Sequence, residues 1–348
     1  MLDFKALADD VLEKLAEHAN TNYRVIVLIV GSPGSGKSTV SGRLCDEINS
    51  RFHNYLKKTG THPTLASTSR SYENLLADLK FNPNSNYEDN ESYYFHHVED
   101  IGLPPTKFST AGSSSTTVMG RGGMPNSIQV SMHTTERQTG GNFEIAQLVP
   151  MDGFHLSRKH LDHFKDAKAA HRRRGAPQTF DSNNYLQLCK LLAETSKIKP
   201  VFKHKVEDCS SFNEDVLFDE LCASFTADVP SISFPGFDHS LKDPTVNQHS
   251  VDAYTRVVVM EGLYLLLDVE NWAKVFPEIQ RTGCFLVFAI NVDDATLAER
   301  VAKRHLQSGL VGTYEEGLAR FNDNDLPNAK LIQANMINSP EIKIINNN

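Results

Sequence analysis

The stretch that most constrains this chain runs from Tyr23 to Val40. A largely β-branched run, Tyr23-Arg24-Val25-Ile26-Val27-Leu28-Ile29-Val30, leads straight into Gly31-Ser32-Pro33-Gly34-Ser35-Gly36-Lys37-Ser38-Thr39. The run has no polar alternation and stops at glycine, the pattern of a parallel strand buried on both faces. Val40, Leu44 and Ile48 then recur at helical spacing. The loop between them fits G-x-x-x-x-G-K-[ST], and the strand and helix that this motif requires are both in place. Its glycines let backbone N–H groups converge on phosphate oxygens, and the following helix adds the partial positive charge of its N-terminus. Lys37 would reach the terminal phosphates and the Ser38 hydroxyl would join a Mg²⁺ shell. The pattern implies a nucleoside triphosphate site.

The rest of the composition limits what such a site serves. At 348 residues the chain holds one large domain with insertions or two domains. Its net charge of −8 argues against general binding to nucleic acid or to a membrane surface. No apolar run approaches the roughly 20 residues of a membrane span. The five cysteines are scattered with no C-x-x-C pair, which suggests a reducing compartment and no structural zinc. Residues 1–19 read as an amphipathic helix with Leu2, Ala6, Val11, Leu12 and Leu15 on one side. Asp3, Asp9, Asp10, Glu13 and Glu17 within it argue against a transit peptide, so a cytoplasmic location is the default.

Beyond the first helix, strands alternate with helices. Ile145 to Asp152, Arg256 to Gly262 and Cys284 to Ile290 read as buried strands, and Glu341 to Ile345 as a last one. Amphipathic helices follow through Tyr185–Leu192 and Leu297–Leu306, with another at Glu315–Phe321. This order predicts an α/β fold, a doubly wound, mostly parallel sheet with helices on both faces. Two insertions interrupt it, 60–143 and 200–228, within a single domain of residues 1–348. Tyr72–Leu79 is a candidate helix, Asn82–Asn90 is rich in Asn and acids, and the part 109–141 is dominated by Ser, Thr and Gly. Such a composition buries little apolar surface and is expected to stay outside the core, although Ser127–Met132 alternates like a strand and suggests a hairpin. Ser231–His239 with Lys242-Asp243-Pro244 reads as loop, and Asn322–Asn328 as a break in the helical pattern.

Acids stand where strands stop. Asp152 follows the second strand and Glu261 the third, and open parallel sheets gather function beyond the carboxyl ends of their strands. Phosphoryl transfer needs a phosphate cradle, Mg²⁺, a base for the acceptor hydroxyl and cations on the moving group. Ser38 and Glu261 are the candidate Mg²⁺ ligands, since this ion takes oxygen donors and retains waters. Asp152 is the candidate base; the structural alternatives are a turn cap for Asp152 and simple turn chemistry for Glu261. Arg300 and Arg304 share one helix face, as a triphosphate clamp or as a solvated face with an exposed Glu299–Lys303 pair. Arg172, Arg173 and Arg174 form a basic knot suited to an anion or to plain solvent. No guanine-recognition [NT]-K-x-D motif occurs, which tilts the reading from switch to kinase.

At these residues the chain resembles the phosphoribulokinase and uridine kinase superfamily of P-loop kinases. Within it the likeness is to fungal ATP-dependent kinases of unassigned substrate, relatives of bacterial pantothenate kinase and fructosyl-amine-type kinases. The matching stretches are Gly31–Thr39, Pro150–Leu156, Arg174-Gly175-Ala176-Pro177 with Thr179-Phe180-Asp181, and Phe234–Asp238. Glu261–Leu266, Arg300–Leu310 and Asn324-Asp325 with Asn328 also match. The resemblance implies a P-loop kinase fold with about five core strands, Asp152 as base, and a lid over 297–325 that carries Arg300 and Arg304. It further implies an acceptor pocket at His155, Arg174, Asp181 and Asp238. The expected activity is transfer of the γ-phosphoryl group of ATP, with Mg²⁺, to a hydroxyl of a small metabolite. A uridine- or pantothenate-type kinase is a narrower version. An ATP-binding regulator that meets a protein partner through the 60–143 insertion is the alternative, and deleting 109–141 separates the two.

Overall fold

β1 (Val25–Gly31) runs through the middle of a five-stranded parallel sheet. The order across it is β10 (Ile342–Asn346), β9 (Phe285–Asn291), β1, β8 (Val257–Gly262) and β5 (Ala146–Pro150), with every adjacent pair parallel. The computed structural model describes residues 2–67, 106–109, 115–132, 143–202 and 212–347. The expected helix at Tyr72–Leu79 and the Asn-rich 82–90 lie outside these described residues.

Side chains along a strand point alternately to its two faces, and β1 divides its apolar residues accordingly. Ile26, Leu28 and Val30 pack toward α5 (Ser182–Ser196), α7 (Val275–Gln280) and α10 (Leu326–Ala334). Val25, Val27 and Ile29 pack toward α1 (Phe4–Glu17), α2 (Lys37–Thr59), α6 (Glu214–Ser224) and α8 (Asp294–Gln307). Full burial of a Val, Leu or Ile side chain is worth about 1.5–3 kcal/mol. That exceeds the roughly 1–2 kcal/mol per residue that fixing the backbone costs, so the strand is held by having both faces covered. α1 starts on Asp3, whose carboxylate accepts the amides of Lys5 and Ala6 at 3.0 and 3.2 Å, and buries Ala8, Val11, Leu12 and Leu15.

A second sheet, antiparallel, contains the hairpin expected at Ser127–Met132, while its other strands were not foreseen. Its order is β2 (Thr106–Ser109), β3 (Ser115–Gly120), β4 (Gly123–Ser131), β6 (Ser231–Asp238) and β7 (Asp243–Val251). Two expectations are corrected here. The segment read as loop at Ser231–His239 and Lys242–Pro244 forms the β6–β7 hairpin; Pro235 and Gly236, which suggested a loop, sit where the register shifts between Phe234 and Gly236. A bulge tolerates a residue without an N–H, so proline does not exclude the strand. The Ser/Thr/Gly-rich part 109–141 reaches the core after all, for Val118, Ile128 and Val130 are fully buried in the main apolar cluster. Few apolar residues suffice when each faces the same side, and averaged composition hides that alternation.

The second sheet supports the turn beyond β5. Asn126 donates its amide to the carbonyls of Gly153 and His155 at 3.0 and 2.9 Å. β6 passes so close that a Cβ on Gly153 would lie 2.0 Å from the Pro235 carbonyl oxygen. Backbone on both sides leaves nothing to yield. Gly153→Ala is therefore expected to lower the thermal midpoint by the equivalent of about 3 kcal/mol; an unshifted midpoint would contradict this close approach.

The chain reaches α5 through two short helices, α3 (Arg158–Leu161) and α4 (Ala167–Arg172). After α8 come α9 (Tyr314–Arg320), a π-helical turn (Phe321–Asp325) and α10, so the break expected at Asn322–Asn328 is a widened turn inside a continuing helical path. No helix among the described residues is long and apolar enough to cross a membrane.

Candidate active site

The loop after β1 is shaped by its glycines. Gly34 and Gly36 hold φ of 82° and 90°, the left-handed region that glycine enters without strain. A Cβ on Gly34 would meet Val301 at 2.7 Å, so the loop is seated directly on α8. Gly36 caps α2 without a side-chain bond, which leaves first-turn amides of α2 directed at the hollow of the loop. Gly31, Ser32, Pro33, Gly34, Ser35, Gly36, Lys37, Ser38 and Thr39 together form the strand-to-helix cradle expected of a phosphate site.

Lys37 folds back across the loop and donates Nζ to the Ser32 carbonyl at 3.1 Å. Burial holds its ammonium below the usual lysine range, opposed by the nearby carboxylates of Glu261, Asp152 and Asp325 and reinforced by Arg304. Glu261 ends β8 in register with Ile29 of β1 and Pro150 of β5, which brings three strand ends to one point. The Ser38 hydroxyl lies 3.2 Å from each Glu261 carboxylate oxygen. Burial pushes Glu261 up, Lys37 pulls it down, and Asp152 pushes it up again. A hydroxyl and a carboxylate converging beside the phosphate loop are hard oxygen donors of the kind Mg²⁺ takes, and the site fits the ion on that ground.

Asp152 lies in the 3₁₀ turn Met151–Phe154 just past β5, with 45% of its side chain exposed. Its own carbonyl accepts from His155 Nδ1 at 2.8 Å, so Nδ1 carries the proton and Nε2 remains an acceptor. The His155 ring sits between Phe180 and Phe237, with centroids 4.0 and 4.9 Å away. Burial lowers its pKa against the pull of Asp152.

The other expected acceptor residues turn out to be occupied with structure. Asp181 is fully buried; its two oxygens take the amides of Gly122 at 2.6 Å and Asn184 at 3.0 Å, capping α5 and pinning the β3–β4 hairpin. It does not face an open pocket. Asp238 accepts the amides of Ser240 and Leu241 at 2.7 and 2.9 Å within the β6–β7 turn, bonds that lower its pKa. Arg174 is paired with Asp243 at 2.6 Å, donates to the carbonyls of Leu156 at 2.8 Å and Lys242, and lies over Phe237. It anchors that hairpin beside His155. Of the four, His155 alone borders Asp152 directly.

α8 packs on the loop through Leu297 and Val301, while Glu299 and Lys303 pair on its exposed side, as the solvated-face reading has it. Arg304 is exposed as well. Arg300 donates to the Asn347 carbonyl at 2.9 Å, and Asn347 Nδ2 donates to the Ser35 carbonyl at 2.9 Å. Asn347 thus bridges the phosphate loop and α8, a link with no motif to announce it. Burial, with Arg304 and Arg320 beside it, pushes His305 down to about 4 from 6.5. The folded chain then refuses a proton that the unfolded chain takes up, so stability falls as pH drops through that window, by on the order of 1–3 kcal/mol. In His305→Gln the acid side of the midpoint-versus-pH curve should flatten between those values; an identical slope would contradict the assignment.

Arg173 of the basic knot turns its guanidinium on the protein itself, donating to the carbonyls of Asp323 and Asn324 and to the side chains of Asn324 and Asn328. A cavity of about 320 Å³ opens at the start of the loop, lined by Ser32, Leu266, Ile290, Asn291 and Ile332 among others. It borders the phosphate loop at Gly31 and Ser32 and reaches the sheet face opposite α2 through Leu266 and Ile332.

No family model matches the chain. It is 47% identical over 343 residues to the ATP-dependent kinase YFH7 of Lachancea thermotolerans, covering 99% of this chain and 98% of that one. It is 44% identical over 360 residues to the ATP-dependent kinase YFH7 of Saccharomyces cerevisiae, covering both chains fully. The crystal structure of S. cerevisiae YFH7, described as a candidate P-loop-containing kinase with a circular permutation, matches with a TM-score of 0.82 at 43% identity over 100% of each chain. A candidate fructose transport system kinase from Silicibacter matches with a TM-score of 0.53 at 20% identity, over 99% of this chain and 100% of that one, a likeness of fold.

Proposed function

Because this chain belongs to the family of fungal ATP-dependent kinases named YFH7, we propose that it transfers the γ-phosphoryl group of ATP to a hydroxyl of a small metabolite. The observation that supports this is the convergence of Lys37, the Ser38–Glu261 pair and Asp152 at the ends of three adjacent strands. In this reading the first-turn amides of α2 and Lys37 hold the β- and γ-phosphates. Ser38 and Glu261 would hold Mg²⁺, which when bound neutralises charge on the phosphate oxygens. Asp152 accepts the proton of the acceptor hydroxyl as its oxygen bonds to the γ-phosphorus. The bond from that phosphorus to the bridging oxygen breaks, and ADP leaves with the electron pair. Arg300 and Arg304 offset charge on the moving group, as lid residues. His155, with its ring tilted against those of Phe180 and Phe237, borders the acceptor side.

The test is transfer from γ-labelled ATP, with Mg²⁺, into chromatographic fractions of a low-molecular-weight cell extract. A labelled small molecule that depends on the protein is the expected result, and its identification gives the acceptor. Full ATP binding with no labelled product in any fraction would sink the proposal.

A further inference from the structure

We propose that the cavity beside the phosphate loop is a second ligand site, which takes an uncharged, largely apolar two-ring molecule and, when filled, tightens the binding of ATP. The inference stands on nucleotide binding and goes beyond the transfer reaction. The cavity measures about 320 Å³, roughly twice the 150 Å³ that admits a benzene ring and at the small end of ligand sites. Three adjacent strands wall it with Val30 of β1, Ala289 of β9 and Ile344 of β10, and Leu266 and Ile332 close it. No lysine, arginine, histidine, aspartate or glutamate is among its lining residues. A phosphate or carboxylate entering it would lose water and meet no opposite charge, so the cavity disfavours anions. Ser32, Asn291 and Gln333 are the polar residues it offers, all uncharged. Met336 and Ile344, 41% and 66% exposed, also line it and mark its rim, apolar surface that gains by being covered.

Hydrogen bonds tie these walls to the phosphate loop. Ser32 lines the cavity, and its carbonyl accepts Lys37 Nζ at 3.1 Å and the Ser35 amide at 3.1 Å. Asn291 lines it as well, and its carbonyl accepts the Asn347 amide at 3.1 Å. Asn347 Nδ2 in turn donates to the Ser35 carbonyl at 2.9 Å. The cavity wall therefore holds the loop at Ser32 directly and at Ser35 through Asn347. A molecule packed against Ser32 and Asn291 steadies both holds, so less of the cost of ordering the loop falls on ATP. By linkage, ATP must favour the occupant by the same factor.

The probe is indole, neutral and bicyclic, with indole-3-acetate as its charged counterpart, each titrated into the full-length protein by calorimetry. Indole should bind with a dissociation constant below about 1 mM, and indole-3-acetate at least about tenfold more weakly. Ala289→Leu thickens the wall and should abolish indole binding. Ile344→Glu sets a charge at the exposed rim and should weaken it at least about fivefold with the fold intact; it carries the test alone if the Ala289 variant does not fold. Saturating indole should lower the dissociation constant of ATP, with Mg²⁺, about three- to tenfold. In Ile344→Glu the ATP affinity without indole should stay within about twofold of the parent, while the indole concentration giving half of that gain rises about fivefold. No binding at millimolar indole, equal binding of indole-3-acetate, or indole binding that survives the variants overturns the proposal. An ATP dissociation constant that indole leaves unchanged or raises overturns it too, the rise because the cavity would then belong to the nucleotide's own site. Every arm reads binding, so a failure to label any acceptor would count against phosphoryl transfer and not against this site.

Discussion

Asp152→Asn is expected to lower kcat for phosphoryl transfer by about 10²–10⁴-fold, the range for a positioned general base, while ATP affinity stays within about threefold. The substitution keeps size and hydrogen-bonding capacity and removes only the ability to take a proton. Little else should change. The side chain is 45% exposed, so no buried charge is stranded. The contact that orders His155 comes from the backbone carbonyl of Asp152, which asparagine preserves. The midpoint of thermal unfolding should accordingly stay within about 1 kcal/mol of the parent. Stopped or steady-state kinetics on the labelled acceptor provide the check. A loss under tenfold with ATP binding intact would remove Asp152 from the role of base. A collapse of ATP affinity would mean instead that it acts by supporting Lys37, its electrostatic neighbour.

The parallel sheet was legible because its strands are buried on both faces and therefore read as unbroken apolar runs. Val257–Gly262 is buried at every position, and β1 at every position but Gly31. Strand ends followed by acids pointed to the site, since Glu261 and Asp152 needed only the sheet order to meet Lys37. The second sheet was hidden for two physical reasons. β3 alternates buried and half-buried positions and so carries few apolar residues, and β6, though mostly buried, contains Pro235 and Gly236 at a bulge. Asp181 shows a different difficulty: type and local motif cannot distinguish a carboxylate that meets a ligand from one whose two oxygens are taken by amides. Asp238 accepts its two amides at one oxygen only. Asn347 could not be foreseen at all, because its bond to Ser35 joins residues at opposite ends of the chain.

Lys37→Met should cost about 10²–10³-fold in kcat/KM, the scale for one preorganised electrostatic group, and should do so without destabilising the free protein. The argument starts from the cost of burying the ammonium. Desolvation outweighs the pull of Glu261, Asp152 and Asp325, so the fold disfavours the charge that function requires. Methionine fills similar volume and lacks the charge, and its one lost bond is to the Ser32 carbonyl. The free variant should melt at the parent's temperature or slightly above it, as when a strained functional residue is removed. Lys37→Arg should not restore activity, because a planar fork is bulkier than the compact ammonium that the loop encloses. Binding provides the readout that separates the charge from the fold. A ligand that binds only the native state raises the midpoint in proportion to its affinity, so Mg²⁺ and ATP together should raise that of the parent and leave that of Lys37→Met nearly unmoved. A variant that melts normally and still gains the full ATP-dependent rise would show that the phosphates are held without Lys37.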